Sequence, residues 1–309
     1  MISQTFTFKA KDNIDIFVYN WIPKGSIKGI VQIAHGVGEH AGRYEGFAKD
    51  LSKSGYMVYA NDHRGHGETA NTPVQLTYLG DNGWNLMIED SWRLTEIIRK
   101  ENPHIPVFFF GHSMGSFLLR QYLYEYPNRI DGAIVAGTGI YEKLLINAGI
   151  LIAKRLINRG GEKKRSYYIN RMIFKNFNTK IDRPKTNFDW LSRDDKAVQE
   201  FIDDPFCGVP CTNNFFYEFL CGLREVHRTE NVERIPKNTS LFIISGDKDP
   251  IGHWGSDIPS LARQYSKIGI KDVEYKLYKD ARHELINELN REEVIGDITT
   301  WMNSRNSLP

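Results

Sequence analysis

The chain has 309 residues, 41% of them hydrophobic and 25% charged, a globular balance that leaves room for a large core and excludes a disordered polymer. Lys and Arg number 40 against 38 Asp and Glu, a net charge of +2, too even for a nucleic-acid binder. Three cysteines, Cys207, Cys211 and Cys221, crowd one stretch; an odd count placed like this excludes a disulfide framework.

The opening residues, MISQTFTFKAKD, lack a basic region followed by an apolar one, so no signal peptide is expected. Thr5 to Lys9 and part of Asp15 to Trp21 alternate apolar and polar residues, which predicts a hairpin at a sheet edge. Gly29 to Ala34 (GIVQIA) is a continuous apolar run, as suits a strand buried on both faces. A helix is expected over Tyr44 to Ser54, ended by Gly55, then a strand over Met57 to Asn61. Asn82 to Lys100 reads as a helix with Asn82 as N-cap. Val107 to Phe110 (VFFF) reads as a central strand, Met114 to Tyr126 as a helix stopped by Pro127, and Asp131 to Gly137 as a strand.

The rhythm then changes. From about Ile140 to Pro236 helical patterns continue without strands, too long a stretch for a plain loop. Alternation resumes with a strand over Ser240 to Ser245, a helix over Pro259 to Lys267, a strand over Val273 to Tyr278 and a helix over Glu292 to Asn303. The expected fold class is α/β, a mostly parallel central sheet flanked by helices. The expected domains are a body of residues 1–139 and 237–309 and an inserted helical cap of 140–236. Within the cap, the apolar stretch from Leu144 to Ile157 is about 14 residues long and broken by Asn147, Lys154 and Arg155, too short and polar to span a bilayer. It reads either as a lid over an acyl tunnel, touching a membrane surface with Lys154, Arg155 and Arg159 nearby, or as a helix packed on the body.

Gly111-His112-Ser113-Met114-Gly115 is a G-x-S-x-G pentapeptide lying directly between the VFFF strand and a helix. Chemistry at a serine needs that context, because a sharp strand-to-helix turn projects Oγ clear of the sheet. A serine hydroxyl is a poor nucleophile without a base. His283, just past the strand ending near Tyr278, is the candidate; His253 is its rival. The orienting acid should follow the strand SLFIIS, where Gly246-Asp247-Lys248-Asp249-Pro250 offers two. Asp249 is preferred, since Pro250 keeps it extended while Asp247 shapes the turn. Oxyanion stabilisation takes two backbone N–H donors: Met114, after the serine, and Val37, in the Gly-rich loop after GIVQIA. His35 and His40 are expected to pack that loop. In Asp62-His63-Arg64-Gly65-His66-Gly67 the two histidines suggest metal, but Asp62 and Arg64 bonding across a Gly-broken turn is the preferred reading. Zinc on the cysteines with His227 fits no common spacing; packed free thiols are expected, and with them a reducing, cytoplasmic setting. No cofactor and no metal is expected.

Taken together, HGVGEHAGRY (His35 to Tyr44), NDHRGHGET (Asn61 to Thr69), GHSMGS (Gly111 to Ser116), SGDKDP (Ser245 to Pro250) and ARHELINE (Ala281 to Glu288) resemble the monoacylglycerol lipase and lysophospholipase branch of the α/β-hydrolases, in that family's order. The resemblance implies Ser113, Asp249 and His283 as triad and Val37 and Met114 as oxyanion donors. It implies hydrolysis of a single-chain carboxylic ester (a monoacylglycerol or a lysophospholipid) through an acyl-enzyme. The cap resembles the family only in position and helical character. The same triad would serve a thioesterase, a short-chain carboxylesterase or a peptidase; a non-catalytic binding protein on the same fold is the reading from another class.

Overall fold

The computed structural model describes residues 1–306. Its frame is one eight-stranded sheet: β1 (Ile2–Lys9), β2 (Asp15–Ile22), β3 (Gly29–Ala34), β4 (Tyr56–Asn61), β5 (Val107–His112), β6 (Gly132–Ala136), β7 (Ser240–Gly246) and β8 (Asp272–Tyr278). They lie in the order β1-β2-β4-β3-β5-β6-β7-β8. β1 and β2 pair antiparallel at one edge, and β2 meets β4 antiparallel. From β4 to β8 every neighbouring pair is parallel. The eleven α-helices described are α1 (Glu45–Lys53), α2 (Gly67–Ala70), α3 (Gly83–Glu101), α4 (Met114–Glu125), α5 (Lys143–Gly160), α6 (Tyr167–Phe174), α7 (Asp195–Asp203), α8 (Asn213–Val226), α9 (Thr229–Val232), α10 (Asp257–Lys267) and α11 (Arg291–Asn306).

The phenylalanine run of β5 explains its own composition. Successive side chains of a strand point to opposite faces. Phe109 packs with residues of α3, α4 and α10, while Phe108 and Phe110 pack with residues of α1 and α11. Both faces are covered, so the strand has no polar side, and β3, β4, β5 and β6 are buried throughout.

Between β6 and β7 the chain forms α5 to α9. α8 packs on α5 and also on α3 and α4 of the body. Asn82 stands before α3 with a left-handed backbone (φ 56°) and makes no side-chain cap; its side-chain Oδ1 instead accepts from Asn85 Nδ2 at 2.6 Å. Glu218, from α8, takes over, accepting the Trp84 N–H at 3.2 Å. A cap supplied from another element is invisible to local pattern. Asp62 and Arg64 do not bond each other either. Arg64 pairs with Asp12 and Asp90, and Asp62 accepts the N–H groups of Ala41 and Glu68, because the turn sends the two side chains to different partners.

Candidate active site

The C-terminal ends of β3, β5, β7 and β8 open on one rim of the sheet, where ligands of open α/β sheets gather. β5 runs into Ser113, whose backbone sits at φ 53°, ψ −118°. A non-glycine residue there is strained, and α4 starts at the next residue. The turn is tight enough to need both neighbouring glycines: a Cβ on Gly111 would lie 2.4 Å from Gly115 O, and one on Gly115 2.1 Å from Ala34 O.

Asp249 follows β7 and His283 follows β8. His283 Nδ1 and Asp249 Oδ2 are 2.9 Å apart, both side chains almost wholly buried. The carboxylate is held from three sides. Oδ2 also accepts Ser245 Oγ at 3.1 Å, and Oδ1 accepts the Ile251 N–H at 2.9 Å. The other imidazole nitrogen, Nε2, is buried without a hydrogen-bond partner, so Ser113 Oγ is not bonded to it; such contacts are often loose before substrate binds. Ser113 and His283 both line one cavity of about 540 Å³. Val37 lines it too, while Asp249 and Met114 are not among the lining residues. The Val37 N–H makes no hydrogen bond among the described residues, and that of Met114, first in α4, has no intrahelical acceptor. The Trp190 ring packs at 5.0 Å from the His283 ring.

Beneath the rim lies a buried ionic cluster. Glu39 accepts the Gly36 N–H at 2.5 Å, Arg43 Nη1 at 2.6 Å and Tyr44 OH at 2.9 Å. Arg43 also makes a bidentate pair with Glu284, at 2.7 and 2.8 Å. One guanidinium therefore ties the Val37 loop to the residue after His283. Burial raises the Glu39 carboxyl, but the His112 hydrogen bond and the Arg43 charge outweigh it and hold it well below the usual range. Burial lowers His112, yet Glu39, by hydrogen bond and charge, lifts it above the ordinary imidazole value. Glu39, Arg43, His112 and Glu284 are the residues that sequence reasoning left without a role, although all four stand inside its quoted motifs.

The rivals are used elsewhere. His253 is half exposed and bonds Asp257 at 2.7 Å, and Asp247 accepts the Asp280 N–H at 2.8 Å. His35 Nε2 accepts the His63 N–H at 3.0 Å, and His40 bonds Asp204 at 2.8 Å. The three cysteines are free thiols, and His227 faces Tyr141 and Leu223 rather than them. Among the described residues the one mixed donor group is His40, Asp204 and Cys207, with donor atoms within 4.8 Å of one another. The insertion contributes cavity walls from Tyr167 to Cys211 and none from α5. The lid reading of Leu144 to Ile157 is thereby corrected: that helix packs on α8 and leaves Leu144, Leu145 and Leu151 exposed.

The arrangement offers a hydroxyl on a strained turn, an imidazole anchored on one nitrogen and free on the other, and two unspent N–H groups, the parts that addition to a carbonyl requires. Comparison with known proteins gives the family. The family model described as "Serine aminopeptidase, S33" (Hydrolase_4) matches residues 25–290. The monoacylglycerol lipase of Mycolicibacterium smegmatis is 26% identical over 98% of this chain and 99% of its own. The monoglyceride lipase of Homo sapiens is 25% identical over 94% and 87%. Among solved structures, a thermostable carboxyl esterase from Bacillus coagulans in complex with glycerol superposes with a TM-score of 0.91, at 30% identity and 99% of both chains. Among the described residues no helix is long and apolar enough to cross a membrane.

Proposed function

This chain belongs to the Hydrolase_4 family of α/β-hydrolases and is a serine hydrolase of the monoglyceride-lipase type; from that premise we propose that it cleaves single-acyl-chain esters, monoacylglycerols or lysophospholipids, through an acyl-enzyme. Ser113 is the nucleophile. His283 takes its proton as Oγ attacks the carbonyl carbon. The N–H groups of Val37 and Met114 receive the oxyanion, and each such donor typically lowers the barrier by about 3 kcal/mol. Asp249 holds Nδ1, which leaves Nε2 to carry the proton. Collapse of the tetrahedral adduct breaks the ester bond, and His283 protonates the departing alcohol. It then draws a proton from water, which attacks the acyl-serine; as that second adduct collapses His283 returns the proton to Ser113 Oγ, and the acid leaves.

The single observation that carries this reading is the buried pair of Asp249 and His283, with Nε2 free in a cavity wall shared with Ser113. The mostly apolar wall of Phe174, Phe188, Trp190, Leu191 and Phe201 suits an acyl chain. Residues 140–236 act as the cap over it, and the exposed Leu144, Leu145, Tyr167 and Tyr168 suit transient contact with a lipid surface. The free cysteines suit a cytoplasmic setting. A peptidase that reads a free amino terminus needs an unspent carboxylate in the cavity, and Glu39 and Glu284 are both taken by Arg43. The likeness to a carboxyl esterase favours one second reading, a short-chain esterase. Esters from about two to sixteen carbons separate the two, and activity on short chains alone sinks the lipid reading. A fluorophosphonate probe should label the protein but not Ser113→Ala, whose kcat should fall by at least about 10⁴, the scale of other serine triads.

A further inference from the structure

The mouth of the cavity carries a one-sided charge. Arg171 lies in α6 and Lys175 caps its C-terminus with a helical backbone (φ −53°, ψ −35°). Four residues apart, they leave the same face one turn apart. Both line the cavity and both are exposed. Neither side chain makes a hydrogen bond or ion pair with any described residue, whereas Lys185 pairs with Asp195 and Arg193 with Glu288. The only carboxylates in the same wall, Glu39 and Glu284, are buried and bonded to Arg43. Nothing in the wall balances the two cations. Apart from any ligand they complement the dipole at a helix C-terminus, a role that would give no preference among substrates.

We propose that Arg171 and Lys175 form an anion subsite, so that this cavity prefers single-chain amphiphiles bearing a phosphate or carboxylate over neutral glycerides of the same chain length. This rests on the ester-hydrolase reading for what is cut, though not for what is bound. Two exposed cations give a modest, additive attraction, worth about five- to tenfold in affinity. Salt should erode it, because screening acts over about 8 Å at physiological ionic strength.

The test measures binding to Ser113→Ala by calorimetry with octyl phosphate, octanoate and 1-O-octylglycerol, all kept monomeric. Octyl phosphate should bind about five- to tenfold more tightly than octylglycerol at low salt. That ratio should fall to near one in Arg171→Gln/Lys175→Gln and at high salt, and survive in the charge-preserving swap Arg171→Lys/Lys175→Arg. Thermal melts establish that the variants are folded. Octanoate tells a carboxylate site from a phosphate site; an advantage for either supports the proposal. Equal binding of anionic and neutral probes overturns it, as does an advantage that outlasts both glutamines. A charge effect seen with anionic vesicles but never with monomeric octyl phosphate overturns it too, in favour of a surface that docks on lipid. If the native protein hydrolyses no ester, the ester reading fails, and the binding ratios still decide this one.

Discussion

Arg43 bonds Glu39 and Glu284 at once, with side-chain exposures of 11%, 4% and 4%. Removing it strands two carboxylates where water cannot reach them. Breaking a buried ion pair on one side costs about 3–5 kcal/mol, so Arg43→Met should lose about that much unfolding free energy by urea titration, with kcat falling as Gly36 and the Val37 loop loosen. Arg43→Lys should recover only part, since an ammonium cannot make the bidentate pair. An unmoved urea midpoint in Arg43→Met would refute this role. The three residues were legible as members of two motifs. Their meeting was not, because Arg43 and Glu284 are 241 positions apart and no local pattern encodes such a contact.

Between elements, the seam of α8 against α3 turns on one glycine. A Cβ on Gly222 would lie 2.2 to 2.4 Å from ring atoms of Trp84, itself only 2% exposed. Two effects oppose each other in Gly222→Ala. Helix propensity favours alanine by about 1 kcal/mol. Overpacking a buried ring costs about 1–3 kcal/mol, and α8 also caps α3 through Glu218. The clash should win, so this variant should melt lower than the native protein; a higher melting temperature would show that the seam can open at no cost. Strand and helix positions along the body were legible because sheet burial and helix periodicity are local. The partner of α5 was not: an apolar helix reads alike whether it roofs a cavity or packs on α8.

For the molecule as a whole, acid should be the weak side. His35, His63 and His66 are fully buried, with the His35 ring packed against the other two. Burial foremost pushes His63 down to about 3, His66 to about 4 and His35 well below the usual value. Unfolded, each binds a proton near pH 6.5; folded, none does until far lower. As pH falls between those values only the unfolded chain gains these protons, and stability drops. Glu39 and Glu284, held low in the fold, add in the same direction below about pH 4.5. Asp62 and Asp90, raised by burial to about 6, work the other way, but three histidines outweigh them. Each net proton is worth about 1.4 kcal/mol per pH unit. The melting temperature should therefore be lower at pH 5 than at pH 7, and His66→Gln should flatten that slope. A flat profile over this range would refute it.

The sequence by itself determined the fold class, the strand order along the chain and the loops that matter, because strand and helix periods, turn glycines and the strand–serine–helix context are all written within a few residues of one another. Only the tertiary structure decided that Glu218 and not Asn82 caps α3, that Arg43 bridges two loops, and that the Arg171 and Lys175 side chains stand unpaired at the cavity mouth. The reason is physical: each of these is a contact between side chains far apart in the chain, set by where closing the sheet and seating the insertion bring them, and its energy depends on burial that no single segment possesses alone.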